Sequence, residues 1–138
     1  MPLDVAARML ARAALTEATL HDRLVSRGYQ PKTAARAVTR CRELGYVSDE
    51  RLALDRARVL RRRGSGSLKI TDDLRGRGLA EDLVTAAVEA SREGESEVAW
   101  ARRALEHAGD PLGARGWRLL ASRGFVEAVI VELLGEPA

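Results

Sequence analysis

The chain contains one cysteine, Cys41, two histidines, His21 and His107, and only 4% aromatic residues. A lone cysteine excludes an intramolecular disulfide framework and fits a reducing compartment. The two histidines stand in no zinc-type spacing, and one cysteine cannot complete such a site, so no metal is expected. No apolar run approaches the ~20 residues needed to cross a bilayer. Asp4, Arg8 and Arg12 interrupt the opening segment, where a secretory signal would be continuously apolar. The expectation is a cytoplasmic protein with no membrane partner. Val and Ile are too scattered to read as strands.

What is present favours helix. The apolar fraction is 46%, supplied mostly by Ala, Leu and Val, and the abundant Arg and Glu are also good helix formers. Charged residues make up 31% of the 138 positions, with a formal net charge of +3. Of the 23 bases, only Lys32 and Lys69 are lysine. Residues 1–46 hold eight bases and four acids, 47–94 ten and nine, and 95–138 five and seven. The basic excess therefore lies toward the N-terminus, which permits an acidic partner without naming one.

An internal repeat organises the chain. Leu-x-x-Arg-Gly followed by a large apolar residue occurs at Leu24 to Tyr29, Leu74 to Leu79 and Leu120 to Phe125. Gly just past a helix can adopt the left-handed conformation that caps its last carbonyls. Arg in the last turn suits the negative end of the helix dipole. The apolar residue then tucks back onto the helix it has left, so Gly28, Gly78 and Gly124 are structural punctuation. Three units follow, spanning 1–46, 47–94 and 95–138, with nine helical segments in all. Pro31 suits a first helical position and Ser48 an N-cap. Ala34, Val38, Cys41 and Leu44 recur at a spacing near 3.6, which makes Cys41 a core residue.

Catalysis needs a nucleophile with a base, paired carboxylates or a metal, and no such constellation emerges. Asp72-Asp73 and Glu81-Asp82 read as acids placed near helix starts. Gly64-Ser65-Gly66-Ser67 lacks the Gly-Lys-Ser/Thr ending of a phosphate loop and reads as a flexible helix connection. The chain is expected to be no enzyme and to need no cofactor. One feature rises above this background: Arg51, Arg56, Arg58, Arg61, Arg62 and Arg63, followed by Lys69, Arg75 and Arg77. Asp55 stands at helical spacing to pair with Arg51 and Arg58, while Ala53, Ala57 and Leu60 form a separate core stripe. No acid follows Arg61, Arg62 and Arg63 within four residues, so this helix end should stay basic and contact phosphates or an acidic protein groove. Aromatic interleaving is absent, which argues against a stacking platform for single strands.

Gly45-Tyr46-Val47-Ser48-Asp49-Glu50-Arg51-Leu52-Ala53, followed by Arg63-Gly64-Ser65-Gly66, Ile70 and Leu74 to Leu79, resembles the central repeat of the RecX family. Leu15-Thr16-Glu17 with Leu20 and Leu24 is similar to the family's opening repeat, and Arg123-Gly124-Phe125 to its end. Ser48 stands where the family usually has Asp, Leu52 where it has Phe, and Leu119 where an aromatic is common. The resemblance implies an all-α fold of three tandem three-helix repeats forming a bent, elongated molecule. It also implies a monomeric regulator that binds RecA–single-stranded-DNA filaments, with single-stranded DNA as a further partner, and suppresses ATP hydrolysis and strand exchange. Arg58, Arg61, Arg62, Arg63 and Lys69 are the expected contacts, with Arg75 and Arg77 as outer members. The rival reading is a direct DNA-binding protein, because three-helix units resemble helix-turn-helix modules.

Overall fold

Pro2 and Pro31 each occupy the first turn of a helix, where their missing N–H breaks no intrahelical bond. Thr16, Ser48 and Ser96 start three more, each hydroxyl accepting a backbone N–H three residues on, at 3.1, 3.2 and 3.1 Å. The computed structural model describes residues 1–137; Ala138, the last position of the third expected unit, lies outside them. It contains α1 (Pro2–Arg12), α2 (Glu17–Ser26), α3 (Pro31–Glu43), α4 (Asp49–Arg62), α5 (Ser67–Gly76), α6 (Glu81–Ala90), α7 (Glu97–His107), α8 (Gly113–Ser122) and α9 (Glu127–Leu134). No strand occurs among the described residues.

The three Arg-Gly motifs close α2, α5 and α8. Gly28, Gly78 and Gly124 have φ of +101°, +78° and +89°, a region that strains side-chain-bearing residues. At the first, Gly28 donates to the Val25 carbonyl and Tyr29 to that of Leu24, a paired Schellman closure. Leu79 and Phe125 are buried and Tyr29 half-buried, so the residue after each Gly does fold back.

Each trio of helices packs on itself, α1 with α2 and α3, α4 with α5 and α6, and α7 with α8 and α9. Three separate cores result. The first holds Leu20, Leu24, Ala34, Val38 and Cys41, and extends to Val47, so Val47 belongs to the first core although it was expected to head the second unit. Leu44 does not complete the Cys41 face: it follows α3 as its C-cap and is exposed. The second core holds Ala53, Ala57, Leu60, Ile70, Leu74 and Val84, with Leu52 packed against it. The third is built on Ala101, Leu105, Leu120, Phe125 and Ile130, with Leu119 against it. Leu52 and Leu119 therefore keep packing roles without an aromatic ring.

The middle helices carry matching buried pairs one turn apart, Leu20 with Leu24 and Ile70 with Leu74. Burying each such side chain stabilises by roughly 1.5–3 kcal/mol. In α8 the matching pair is Gly116 with Leu120, because a Cβ at 116 would strike the Pro111 carbonyl oxygen.

Candidate functional site

The basic segment on α4 and α5 sits at the joint between the second and third units, and that joint divides its members. Arg61 is 1% exposed and points inward. Its guanidinium donates to Glu97 Oε1 at 2.8 Å, Ser91 Oγ at 3.3 Å and Ser67 Oγ at 3.2 Å. The Trp100 ring centroid lies 5.9 Å from it, with Arg103 on the same ring at 4.5 Å. Desolvation pulls the Arg61 guanidinium below its ordinary value while Glu97 opposes that pull. Arg61 is thus a structural residue of the joint. Its placement on the contact surface was incorrect, because the charge is satisfied inside the protein.

The other expected contacts remain at the surface in different states. Arg58 and Arg62 both approach Glu93 Oε1, at 3.8 and 3.9 Å, and the shielded Arg58 Nε makes no hydrogen bond. The helical pairing of Arg58 with Asp55 does not form, because Arg58 turns toward the loop after α6 instead. Arg75 pairs with Glu81. Arg77 donates to Asp73 at 2.9 Å, and Arg56 grips the same carboxylate through Nε and Nη2 at 3.1 and 2.9 Å. The Arg56 hydrogen bonds hold the Asp73 carboxyl below its ordinary value, and those of Arg77 add to this. Asp73 therefore lies well inside α5 as a clamp onto α4, not at a helix start. Arg63 and Lys69 have exposed side chains with no ion-pair partner among the described residues.

The connection at 64–67 is not flexible in its surroundings. Gly66 N donates to the Arg123 carbonyl at 2.7 Å and Leu68 N to that of Gly124 at 2.9 Å. Arg123 Nη1 reaches back to the Arg63 carbonyl at 3.1 Å. A Cβ on Gly66 would lie 2.5 Å from the Gly124 oxygen, so this approach requires glycine. The turn after α8 is docked on the start of α5.

A repeated device underlies both joints. Ser67 N, the first amide of α5, donates to Glu97 Oε2 at 2.9 Å, and Glu97 is the first residue of α7. Glu17 N, the first amide of α2, donates to Asp49 Oδ1 at 2.8 Å, and Asp49 is the first residue of α4. In each case the acid opening one unit occupies the positive end of the middle helix of the unit before. Beside the first joint, but within the first unit, Arg42 of α3 forms an ion pair with Glu17 at 2.7 Å. Sequence reasoning missed Glu97, Ser91 and Trp100, and placed Arg123 in a helix-ending motif without its reach across the joint to Arg63. A signal was available in the matching Ser48-Asp49 and Ser96-Glu97 pairs that open α4 and α7.

Burial pushes the Cys41 thiol up and leaves it protonated. His21 is half-buried with Nε2 3.2 Å from the Pro31 carbonyl, and His107 is exposed. Among the described residues no cluster of three or more His, Cys, Asp or Glu is placed to hold a metal ion. Among the described residues no helix is long and apolar enough to cross a membrane.

The fold and its joints define a tandem three-helix repeat protein. A family model described as RecX, first three-helix domain, matches residues 3–41. The regulatory protein RecX of Deinococcus radiodurans is 37% identical over 143 residues, covering 99% of this chain and 68% of that one. The regulatory protein RecX of Chromohalobacter salexigens is 34% identical over 128 residues, covering 90% and 84%. The crystal structure of RecX from Lactobacillus salivarius superposes with a TM-score of 0.73 at 15% identity, over 96% of this chain and 91% of that one. The chain belongs to the RecX family.

Proposed function

We propose that this protein binds the filament formed by the RecA recombinase on single-stranded DNA and restrains its ATPase and strand exchange, without catalysis of its own. The observation that carries this reading is relatedness over 99% of the chain to a protein named as a regulator. A monomer in the cytoplasm suits such a task, since it must reach filaments assembled on chromosomal DNA. Successive units can touch successive protomers of one filament, and linked contacts add through effective concentration. The contacts are Arg62, Arg63 and Lys69, exposed beside the joint, with Arg58 behind them and Arg75 and Arg77 outermost. Arg61 supports them from inside.

Cosedimentation with RecA filaments, with and without nucleotide, tests the partner; failure to sediment under every condition removes the proposal. The combined variant Arg62→Ala, Arg63→Ala, Lys69→Ala tests the site. It should fold, yet inhibit the ATPase more weakly, since charge-assisted contacts contribute roughly 1.5–3 kcal/mol each. A folded variant that inhibits like the parent at low salt would move the contact elsewhere.

A further inference from the structure

Arg63 and Lys69, the exposed bases beside the second joint, stand on either side of the connection from α4 to α5. Gly64 and Gly66 lie between them, and glycine leaves a chain free to take many directions. Within the second unit, the buried Leu60 and Ile70 hold α5 against α4 through their apolar faces. That packing acts in the core. The exposed stretch carrying the two bases needs a separate constraint.

The constraint comes from the third unit, chiefly through one residue. The Arg123 carbonyl accepts the Gly66 N–H at 2.7 Å, and Arg123 Nη1 donates to the Arg63 carbonyl at 3.1 Å. Main chain and side chain of a single residue thus hold positions 63 and 66 together. The next residue extends the grip toward Lys69. The Gly124 carbonyl accepts the Leu68 N–H at 2.9 Å, and a Cβ at 124 would lie 2.5 Å from Lys69 Cβ. A Cβ on Gly64 would lie 2.5 Å from Arg123 Nη1, so the guanidinium fills the space over the turn.

Complementing the dipole of α8 explains an arginine at its C-cap but not this reach. Arg77, at the same place in the second copy of the motif, turns back to Asp73 of its own α5 at 2.9 Å. Among the described residues the Arg123 guanidinium pairs with no carboxylate, and its hydrogen bond goes to the Arg63 carbonyl.

We infer that Arg123 is a positioning residue for the basic site: it fixes the direction of Arg63 and Lys69 from the neighbouring unit and contacts no partner itself. The inference rests on the reading that Arg63 and Lys69 meet the RecA filament. A site already held in its binding conformation loses less freedom on binding, so the brace raises affinity without adding a contact. The site then belongs to two units, the bases to the second and their brace to the third.

Arg123→Met, which removes the guanidinium and keeps an unbranched side chain, tests this in the full chain. Inhibition of the RecA ATPase is titrated at low salt with the parent, Arg123→Met, Arg63→Ala and the two changes combined. Arg123→Met should raise the half-inhibitory concentration about tenfold, as expected when two long side chains must be ordered on binding. In the Arg63→Ala background the same change should have less than about a threefold effect, because less remains to be positioned. Hydrogen exchange without any partner gives a second readout. The Gly66 and Leu68 amides should exchange at least about tenfold faster in Arg123→Met, with the Leu74 amide unchanged. If Arg123→Met does not fold, Arg123→Gln carries the same measurements. An equal loss in both backgrounds overturns the inference and makes Arg123 a contact in its own right. Parental inhibition, or parental exchange at Gly66 and Leu68, in a folded variant also overturns it. A parent that does not inhibit at all removes the function assigned to the site, and this inference with it.

Discussion

The Arg61 guanidinium meets the Glu97 carboxylate at 2.8 Å across the joint between α4 and α7, and its side chain is 0% exposed. A charge so placed contributes little net energy when paired, because desolvation offsets attraction, but removing one partner strands the other.

Arg61→Ala should therefore destabilise the protein by about 3–5 kcal/mol, while Arg63→Ala, two residues on and exposed, should stay within about 0.5 kcal/mol. Urea unfolding of both variants measures the contrast. Equal midpoints would mean that Arg61 does not carry the joint.

Gly78 and Gly124 occupy the same place in the repeat but have different neighbours. A Cβ at 78 would meet only Ala18 Cβ at 4.0 Å, whereas at 124 it would meet Lys69 Cβ at 2.5 Å and the Lys69 amide nitrogen at 2.6 Å. Gly78→Ala should cost about 1–2 kcal/mol from the left-handed backbone alone, and Gly78→Val at least as much. Gly124→Ala should cost at least about 1 kcal/mol more, since the docked turn must shift. Thermal melts showing equal losses would refute the close approach.

Asp73 makes stability depend on acid in a definite direction. Its folded value lies below the ordinary 3.8, so its contribution is complete above that value and is lost as pH falls through the folded one. Urea midpoints should drop more between pH 5 and pH 2.5 in the parent than in Asp73→Asn. Parallel acid limbs would show that the Arg56 and Arg77 clamp does not depend on the charge of Asp73.

Cys41 should resist a thiol-reactive dye in the native protein, because it is 0% exposed and held as the thiol. Labelling should appear only under unfolding conditions. Rapid stoichiometric labelling without denaturant would contradict its position in the first core.

Much of the fold was legible because its signals are local. Pro31, Ser48 and the three Arg-Gly motifs each act on the helix they begin or end, and the structure uses them in that way. Arg61 was misread because its side-chain type argued for the surface, although the spacing that buries Ala53, Ala57 and Leu60 also brings position 61 toward the interior. What makes the burial tolerable is Glu97, a partner 36 positions away that helix periodicity cannot supply. The pairing of Asp55 with Arg58 failed for the same reason, since Glu93, beyond the end of α6, takes Arg58 instead.

The two joints differ in what crosses them. The second carries two main-chain hydrogen bonds and the ion pair of the buried Arg61 with Glu97, whereas the first carries the hydrogen bond from Glu17 N to Asp49. In a chain of repeats, nearest-neighbour coupling sets how far unfolding spreads before it stops. Residues of α4 to α9 should therefore open as one cooperative block and α1 to α3 as a second, so that native-state exchange releases amide hydrogens of the first three helices while the other six stay protected.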